Sequence, residues 1–578
     1  MKKFKLDPNF KVDSLYGHFK SGSELYGDHT LYRFNQTKEQ VTEVSYTEGF
    51  NLVDEMALAF MKLGVENEKV IVIGETSVQW IASYLGVVSA GGVIVPLDPH
   101  LMDDEIVKFA EKTEAKYIVC SGTYVKLFEN RRDEFKFAEK FIVMDKSTFT
   151  LNPEAPYNAD EEFTSFNNIL ALGKQVKSEG ELKVKEGPKD PNKMSILLFT
   201  SGTTGSSKGV MLSERNICAV LEDIYPRLAK LSTEDRVMSV LPIYHTYEMS
   251  AGILAPMLYG VTVTISDGIK YVSKNIKQFK PTVMTLVPLF ANTLHKTIMK
   301  NIEKQGKTKT FNKGVKISRF LKSIGIDVRR KLFKEVLEGL GGEIKYFIVG
   351  GAALNPEMVD AFRDIGVHVS QGYGITECAP LISVVPFDVY NPKSCGKIMK
   401  GMQIRIDKEK EDDEFGEIVV KGDNVMLGYY QNPEETEKVL IGDGWFRTGD
   451  YGYVDKKGYI YITGRKKNVI VSQGGKNIFP EELEEYLERV NIIGEVVVVG
   501  REDKETGVVS VVALVYPNED ECKAAGLETK EAIYDAINNE INEINKKLAS
   551  YKHINKLELR DEPFEKTTSR KIKRHTVK

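Results

Sequence analysis

The sequence predicts an α/β protein: a large N-terminal domain of layered α/β sheets with a β-rich subdomain, then a small C-terminal α+β domain. Over most of the chain, apolar runs of strand length alternate with segments of helical period, which is typical of parallel sheets covered by helices. The 578 residues are also too many for one hydrophobic core. After about residue 416, β-rich segments with tight turns replace this alternation.

The N-terminal part shows the alternation most clearly. Residues 70–74, 117–120 and 141–144 are predicted strands, and residues 46–63 and 103–112 between them are predicted helices. Further strands are predicted at residues 195–199, 237–241, 261–266, 282–287 and 346–349. A lysine-rich helical stretch, residues 296–345, is predicted to be a surface excursion from this domain.

One uncharged stretch, residues 76–97, has the length of a membrane span. It contains several glycines and Pro96, and it divides into a helical part at 78–89 and a strand-like part at 92–97. We therefore predict a buried helix that leads into a buried strand.

The C-terminal part is predicted to be a separate small domain. The strands at residues 417–420, 458–463 and 495–499 continue the β-rich stretch that begins near residue 416. The last hundred-odd residues then alternate strand and helix, with helices at 480–489 and 530–547 and a strand at 508–515. A charged stretch, Gly464-Arg465-Lys466-Lys467, follows a strand, so we place the domains at residues 1–464 and 465–578.

Composition excludes several classes of protein. The net charge of −4 gives no electrostatic reason to expect nucleic acid as a partner. The five cysteines form no C-x-x-C pair and no cluster with histidine, so we expect neither a disulfide framework nor a zinc site, and a reducing compartment. The N-terminal lysines precede no apolar segment, which indicates no signal peptide and favours a cytoplasmic location.

A loop rich in glycine and hydroxyl side chains carries the strongest chemical signal. It runs from Thr200 to Lys208 between two predicted strands, and its glycines allow the backbone to present N–H groups inward. This pattern favours a polyphosphate site, although it lacks the Walker A spacing. A flexible linker is the alternative. The candidate residues are Thr200, Ser201, Gly202, Thr203, Thr204, Gly205 and Lys208.

Two other motifs suit a nucleotide. In Gln371-Gly372-Tyr373-Gly374-Ile375-Thr376-Glu377, a carboxylate beside a glycine-rich turn can hold Mg²⁺, and an aromatic ring can stack on a base. In Gly444-Trp445-Phe446-Arg447-Thr448-Gly449-Asp450, the carboxylate can accept hydrogen bonds from two ribose hydroxyls. Each motif alone is also compatible with an ordinary turn.

Together these motifs, in this order, resemble the AMP-forming, adenylate-forming superfamily, which includes acyl-CoA synthetases, luciferases and peptide-synthetase adenylation domains. The resemblance covers nearly the whole chain. It implies that Thr376 contacts ATP, Glu377 holds Mg²⁺ with Thr200, and Tyr373 stacks on adenine beside Gly351 and Ala352. It also places Gln371, Gly372 and Gly374 in the nucleotide site.

The resemblance assigns further residues of the C-terminal half. Asp450 would bind the ribose, Arg465 would contact the nucleotide, and Lys467 would be the hinge about which the small domain moves. The remaining residues would line the acyl and pantetheine passages: His245, Ser472, Gly474, Gly475 and Lys476.

A C-terminal lysine would act on the α-phosphate and on the substrate carboxylate. Alignment to the family motif gives Lys571, with Lys573 as the competitor. This sequence departs from the family in having Arg570 where glycine is usual and Glu565 where proline is usual.

The activity implied by the resemblance is ligation of a fatty acid to coenzyme A. ATP and CoA would be co-substrates and Mg²⁺ the cofactor, with Lys571, Glu377 and Lys208 as the catalytic residues. The lysine-rich insertion resembles that of long-chain fatty acid–CoA ligases. Medium-chain or aryl acids, and transfer to an acyl carrier protein, are the alternatives. A non-catalytic ligand-binding homologue that kept the nucleotide pocket is a further alternative. Peripheral membrane contact and a homodimer are left open by the sequence.

Overall fold

The computed structural model describes residues 11–153, 161–187, 190–200, 207–228, 230–472, 476–502, 509–566 and 572–577. The described part of the chain divides into two compact units. The first lies within Met1–Thr200, Ser207–Gln403 and Lys421–Gly444, and the second within Ile404–Val420 and Trp445–Lys578. The predicted boundary after residue 464 stays a prediction.

The strands are numbered in chain order. They are β1 (Thr30–Asn35), β2 (Val41–Ser45), β3 (Lys69–Ile73), β4 (Val93–Leu97), β5 (Tyr117–Ser121), β6 (Lys140–Met144), β7 (Phe163–Ser165), β8 (Met194–Thr200), β9 (Lys208–Ser213), β10 (Arg236–Ser239), β11 (Thr262–Ile265), β12 (Val283–Leu286), β13 (Tyr346–Val349), β14 (His368–Tyr373), β15 (Ser383–Val384), β16 (Lys397–Ile398), β17 (Met402–Asp407), β18 (Gly416–Gly422), β19 (Gly428–Tyr429), β20 (Leu440–Ile441), β21 (Trp445–Val454), β22 (Ile460–Arg465), β23 (Ile470–Val471), β24 (Asn477–Ile478), β25 (Ile493–Glu502), β26 (Val509–Pro517) and β27 (Lys556–Leu559).

The α-helices are numbered in the same way. They are α1 (Leu15–Tyr26), α2 (Tyr46–Lys62), α3 (Val78–Ser89), α4 (Asp103–Thr113), α5 (Val125–Asn130), α6 (Phe166–Glu179), α7 (Glu214–Ile224), α8 (Ala255–Met257), α9 (Val272–Phe279), α10 (Pro288–Lys304), α11 (Thr308–Ser323), α12 (Arg329–Leu332), α13 (Lys334–Glu338), α14 (Pro356–Asp364), α15 (Pro433–Val439), α16 (Pro480–Leu487), α17 (Glu519–Ala524) and α18 (Lys530–Asn545).

Two mixed sheets form the first unit. One has the order β19-β9-β8-β4-β3-β5-β6-β7, parallel except where β9 pairs with β8 and β19. The other has the order β16-β15-β14-β13-β12-β10-β11-β1-β2, with a parallel centre from β14 to β1. Buried Val, Ile and Leu side chains fill each sheet's contact with its helices, as expected of parallel sheets.

The uncharged stretch folds as predicted. Helix α3 is buried along its whole length and leads into the buried strand β4. Ser77 begins the helix, because its side chain accepts a hydrogen bond from the N–H of Trp80. No helix within the described ranges is long and apolar enough to cross a membrane.

A five-stranded sheet has the order β17-β18-β21-β20, with β22 also paired to β21, and it is antiparallel where β21 pairs with β18 and β22. The acidic run 409–414 connects β17 to β18. The C-terminal residues form a three-stranded sheet, β25-β26-β27, packed on α16 and α18. All five cysteines of the chain carry thiols rather than disulfides.

The parallel sheets packed against helices in the first unit, with the smaller C-terminal sheet packed on α16 and α18, confirm the α/β class predicted from the sequence.

Candidate functional site

The predicted polyphosphate loop connects two paired strands of the first unit. Thr200 ends β8 and Lys208 begins β9, and the two residues are directly opposite in the antiparallel register. The Thr200 hydroxyl donates to the carbonyl oxygen of Lys208 at 3.4 Å. The predicted loop residues Ser201, Gly202, Thr203, Thr204 and Gly205 lie outside the described residues. The hairpin therefore fixes both ends of the loop.

A carboxylate contacts the lysine of this loop. Lys208 Nζ lies 2.6 Å from Glu435 Oε2 at the start of α15, and Lys438 pairs with the other oxygen of the same carboxylate. Hydrogen bonds from these two ammonium groups, that of Lys208 first, lower the pKa of Glu435 to about 2. The Glu435 carboxylate is thus ionised at neutral pH, and it is the negatively charged partner of Lys208.

Tyr429 joins the loop lysine to the predicted metal ligand. Its ring lies beneath Lys208, with Nζ 4.8 Å from the ring centroid, and its hydroxyl donates to Glu377 Oε1 at 2.9 Å. Burial, followed by the charge of Glu377, raises the pKa of Tyr429 far above its usual value, so the hydroxyl keeps its proton. The backbone N–H of Met426 also donates to the carbonyl oxygen of Glu377 at 2.9 Å. One short segment around β19 therefore connects two motifs that are far apart in sequence.

The second glycine-rich motif follows the carboxyl end of β14. Tyr373 ends the strand, and a Cβ at Gly374 would lie 1.7 Å from the carbonyl oxygen of Pro380, so only glycine fits there. The Gln371 side chain donates to the carbonyl oxygen of Pro392 at 3.0 Å, which anchors the strand end. Gly372 pairs with Val384 in β15, and Thr376 begins the turn that carries Glu377.

The neighbouring strand β13 ends at the same edge of the sheet. Gly351 follows it with a φ of +85°, a left-handed conformation that favours glycine, and Ala352 comes next. Both residues are exposed. Val349 at the end of β13 lies opposite Gln371 in the parallel strand β14, so the Gly351 and Tyr373 segments leave the sheet at the same edge.

The loop after β10 is tied to the same edge. The hydroxyl of Tyr247 donates to the carbonyl oxygens of Ile348 at 2.8 Å and Leu286 at 3.3 Å. A Cβ at Gly350 would lie 3.2 Å from the Tyr247 ring, so ring and glycine pack closely. His245, two residues earlier, is half-buried, with its ring 4.4 Å from that of Tyr244.

A buried carboxyl group, Glu248, stabilises this loop. It is fully buried at the start of a π-helical segment, Glu248–Leu254, and accepts a hydrogen bond from Thr285 Oγ1 at 2.7 Å. Burial raises its pKa to about 7, while the hydrogen bond from Thr285 opposes the shift. The strand predicted to reach residue 241 ends at Ser239, which lies opposite Ile265, the last residue of its partner strand β11.

The second unit brings two further predicted residues together. Asp450 in β21 lies opposite Arg465 in β22, and Arg465 Nε contacts Asp450 Oδ1 at 2.8 Å. The Asp450 carboxylate is buried, whereas the arginine is partly exposed. Glu417, also buried, pairs with Lys466 at 2.9 Å and with Arg447 at 2.7 Å. The segment that leads to Lys467 is thus held to this sheet by ion pairs, and Lys467 itself is exposed.

The predicted pantetheine loop lies at a short hairpin. Ser472 and Lys476 flank it, with the Lys476 N–H donating to Ser472 Oγ at 3.1 Å and the Ser472 N–H donating to the Lys476 carbonyl at 2.9 Å. Gly474 and Gly475 lie outside the described residues. The loop therefore begins and ends at neighbouring backbone positions.

The segment around the C-terminal lysine is held at both ends. Before it, the N–H of Phe564 donates to Glu495 Oε2 at 2.8 Å, and Lys566 pairs with the same carboxylate. After it, Arg574 pairs with Glu484, whose pKa is raised to about 7 by burial. Lys566 and Ile572 form a bridge between the two flanks, and the Lys573 N–H donates to the carbonyl of Glu565 at 2.8 Å. Lys571 lies outside the described residues.

Sequence reasoning missed Tyr429, Glu435 and Glu248. The first two follow no recognisable chemical pattern, and their contacts with Lys208 and Glu377 depend on pairing between β9 and β19. Glu248 did leave a signal, since it is the lone charged residue in the apolar run from 248 to 260. A single carboxylate in such a run indicates a buried, hydrogen-bonded group.

Two family models match the chain. Residues 19–430 match the model described as AMP-binding enzyme. Residues 467–578 match the model described as AMP-binding enzyme C-terminal domain.

Several relatives are similar over most of the chain. The long-chain-fatty-acid–CoA ligase FadD15 of Mycobacterium tuberculosis is 27% identical, covering 79% of this chain and 75% of its own length. The human long-chain-fatty-acid–CoA ligase ACSBG2 is 26% identical, covering 79% and 70%. The chloroplastic long-chain-fatty-acid–[acyl-carrier-protein] ligase AEE15 of Arabidopsis thaliana is 25% identical, covering 90% and 79%.

Solved structures share the fold over nearly the whole chain. The anthranilate CoA ligase AuaEII in complex with anthranoyl-AMP aligns with a TM-score of 0.73 at 19% identity, covering 99% of this chain and 98% of that one. ATP-bound MatB from Rhodopseudomonas palustris aligns with a TM-score of 0.72 at 22% identity, covering 98% of each.

Proposed function

We propose, because the chain belongs to the AMP-binding enzyme family, that it activates a long-chain fatty acid with ATP and then transfers the acyl group to CoA. In the first step a carboxylate oxygen of the acid attacks the α-phosphorus, and the bond from that phosphorus to pyrophosphate breaks. In the second step the CoA sulfur attacks the acyl carbon and loses its proton, and AMP leaves. Activation is needed because an oxide is a far poorer leaving group than AMP.

The observation that supports this proposal is the contact network Lys208–Tyr429–Glu377. It holds an ammonium group at the mouth of the glycine-rich loop and a carboxylate at the second glycine-rich motif within one rigid cluster. Negative charge develops on the phosphate oxygens during adenylation, and positioned cations stabilise such charge without reorganisation. We assign this role to Lys208, and the same role at the α-phosphate to Lys571.

Two of the predicted site residues carry oxygen donors of the kind that Mg²⁺ binds. The carboxylate of Glu377 and the hydroxyl of Thr200 are hard oxygen donors, and Mg²⁺ is commonly bound by one or two carboxylates plus substrate phosphates. Among the residues that the structure describes, no three His, Cys, Asp or Glu side chains are grouped as a ready-made metal site. We therefore propose that Glu377, with Thr200, holds the ion together with the nucleotide. The ion would neutralise phosphate charge.

The remaining site residues are proposed to bind the other parts of the substrates. The Asp450 carboxylate suits the ribose hydroxyls, and Arg465, which already contacts it, would lie at the nucleotide. Tyr373 with Gly351 and Ala352 would bind the adenine. His245, Ser472, Gly474, Gly475 and Lys476 would border the acyl and CoA passages, and Lys467 would be the hinge.

The long-chain substrate is the finer part of the proposal. It is supported by the helical insertion α10–α13, which the sequence resemblance associates with long-chain enzymes, and by the names of the relatives FadD15 and ACSBG2. A panel of acids tests it, with acetate, octanoate, palmitate and benzoate assayed for CoA-dependent AMP release. We expect the highest kcat/KM with palmitate. Preference for octanoate or benzoate would instead assign a medium-chain or aryl acid.

A carrier protein is the second candidate acceptor, favoured by the similarity to AEE15 over 90% of this chain. Incubation with ATP, palmitate and either CoA or a phosphopantetheinylated carrier protein separates the two. Mass spectrometry then shows which thiol is acylated. We expect acyl-CoA to form faster.

A third test addresses Lys571. Lys571→Ala is expected to slow adenylation by about 100-fold, because one lost charge-stabilising donor commonly has an effect of this size. Conversion of supplied palmitoyl-AMP and CoA to palmitoyl-CoA should remain near the wild-type rate. Lys573→Ala is the matched control, and the opposite pattern would reassign the role to Lys573.

A further inference from the structure

Helix α11 packs on the hydrophobic core with one side, and its opposite side is exposed to solvent. Its inner side packs on the hydrophobic core of the second sheet through Phe311 and Val315, with the small buried residues Gly314 and Ser318 between them. The side chains opposite these are exposed. They are Lys309, Lys313, Lys316, Ile317, Phe320 and, immediately after the helix, Ile324, and we call this set the α11 outer face.

The spacing of these residues places them on one side of the helix. Positions 309, 313, 316, 317, 320 and 324 recur at intervals of three and four, so three ammonium groups and three large apolar side chains share a single stripe. Phe320 is 65% exposed, Ile324 58% and Ile317 46%. Isolated exposed apolar residues are ordinary, but three adjacent ones on one helix face indicate a binding surface.

The charge of this region is opposite to that of the chain as a whole. Residues 288–326 contain nine Lys and Arg and one Glu, a net charge of +8 in a chain of net charge −4. Helix α11 itself contains no acidic residue. Within the described ranges, no carboxylate lies within ion-pair distance of Lys309, Lys313 or Lys316. These three positive charges are therefore available to an anionic partner.

From this pairing of charge with apolar surface we propose that the α11 outer face docks on the surface of an anionic lipid bilayer. Phe320, Ile317 and Ile324 would enter the boundary between head groups and acyl chains, as the apolar side chains of interfacial helices do. Lys309, Lys313 and Lys316 would lay their aliphatic stems along this boundary and direct their ammonium groups to lipid phosphates. The occupant is a membrane rather than nucleic acid, because half of the stripe is large and apolar and none of its six side chains has an amide or another hydrogen-bond acceptor with which to read a base edge.

Vesicle binding tests this proposal without any substrate, so its failure would leave the proposed reaction untouched. The full-length protein is sedimented with vesicles of phosphatidylcholine alone, or of phosphatidylcholine and phosphatidylglycerol in equal parts, at low and at raised ionic strength. We expect binding to the anionic vesicles only, and release by salt, because surface attraction is screened.

Two variants of the face separate charge from apolar contact. Lys309→Glu/Lys313→Glu/Lys316→Glu should weaken vesicle binding by at least tenfold, since each lysine near an anionic surface contributes about 1 kcal/mol. Phe320→Ser should weaken vesicle binding less than the triple lysine variant does, and the binding that remains should still be released by salt. The matched control, Lys38→Glu/Lys108→Glu/Lys126→Glu, makes the same charge change at three exposed lysines of the same unit and should bind like the wild type.

Three results would overturn the proposal. They are a wild-type protein that ignores anionic vesicles, an α11 triple variant that binds as well as the wild type, and a control triple variant that loses as much. In a fourth outcome, the α11 triple variant would bind vesicles like the wild type but would no longer acylate a carrier protein. That result would also overturn the membrane proposal and would assign the face to an acidic protein partner. Circular dichroism melts of all variants establish that each is folded.

Discussion

Glu435 Oε2 lies 2.6 Å from Lys208 Nζ, so the lysine of the glycine-rich loop has a carboxylate partner before any nucleotide arrives. The same ammonium group lies over the ring of Tyr429, whose hydroxyl donates to Glu377. A phosphate that approaches Lys208 must share its charge with Glu435. This competition gives the first prediction.

Glu435→Gln should strengthen ATP binding. Removal of the competing charge leaves the full ammonium charge of Lys208 to the phosphates. Ion pairs near the surface are weak, so we expect the Kd for ATP to fall by no more than about fivefold. Calorimetric titration of ATP measures the change, with Glu437→Gln, an exposed neighbour on α15, as the control. Weaker ATP binding in Glu435→Gln would show instead that Glu435 holds Lys208 in its productive position.

Tyr429→Phe should slow adenylation by about tenfold and raise the Mg²⁺ concentration needed for half-maximal rate. The variant keeps the ring beneath Lys208 but removes the hydroxyl that donates to Glu377, and a hydrogen bond to a charged group contributes about 1.5–3 kcal/mol. Exchange of labelled pyrophosphate into ATP measures both quantities. Tyr430→Phe, one residue along, is the control. An unchanged Mg²⁺ dependence would mean that Glu377 does not depend on this hydroxyl for its position.

Glu248→Gln should remove a pH dependence of stability. Burial raises the Glu248 pKa to about 7 from its ordinary 4.5, so the folded state binds this proton more tightly than the unfolded state. The resulting stabilisation is fully present below pH 4.5 and is lost as pH rises through 7, a change of about 3 kcal/mol for one group. Melting temperatures at pH 5 and pH 8 should therefore differ more in the wild type than in the variant.

The exposed Glu39→Gln is the control for this measurement and should melt like the wild type at both pH values. Activity gives a second readout, because Glu248 accepts a hydrogen bond from Thr285 of β12 and lies three residues after His245 in the loop that follows β10. Equal pH dependence in wild type and Glu248→Gln would contradict a raised pKa at this carboxyl.

Arg574→Ala should loosen the C-terminal segment that carries Lys571. The substitution leaves the Glu484 carboxylate buried without its guanidinium partner, and loss of one partner of a buried pair is strongly destabilising. Adenylation should fall by at least tenfold, while acyl transfer from supplied palmitoyl-AMP should persist. Hydrogen exchange should rise in residues 564–577. Arg489→Ala, which breaks a surface pair with Glu485 on the same helix, should change neither quantity.

The α/β architecture could be predicted because its signals are local. The apolar run with helical period at 78–89 becomes α3 with the same bounds, and the predicted strand at 117–120 becomes β5 with one additional residue. Strand ends were less predictable. The run 237–241 reads as one strand, but β10 ends at Ser239 because its partner β11 ends opposite that residue, at Ile265.

The site was predictable where glycine and a charged side chain lie close in sequence, as at Lys208 and Glu377. It was not predictable where a residue reaches the site from a distant element. Tyr429 and Glu435 contact Lys208 across more than two hundred residues, because β19 pairs with β9, and no local pattern encodes that pairing. The charged outer face of α11 was visible in the sequence only as a lysine-rich stretch, and its exposed Phe320 required the structure.

Product identity tests the central claim most directly. The purified protein is incubated with ATP, Mg²⁺, palmitate and CoA, and the phosphorus-containing products are identified by ³¹P nuclear magnetic resonance. Cleavage between the α- and β-phosphorus atoms predicts AMP and pyrophosphate in amounts equal to the acyl-CoA formed. ADP and orthophosphate as the products would contradict the account.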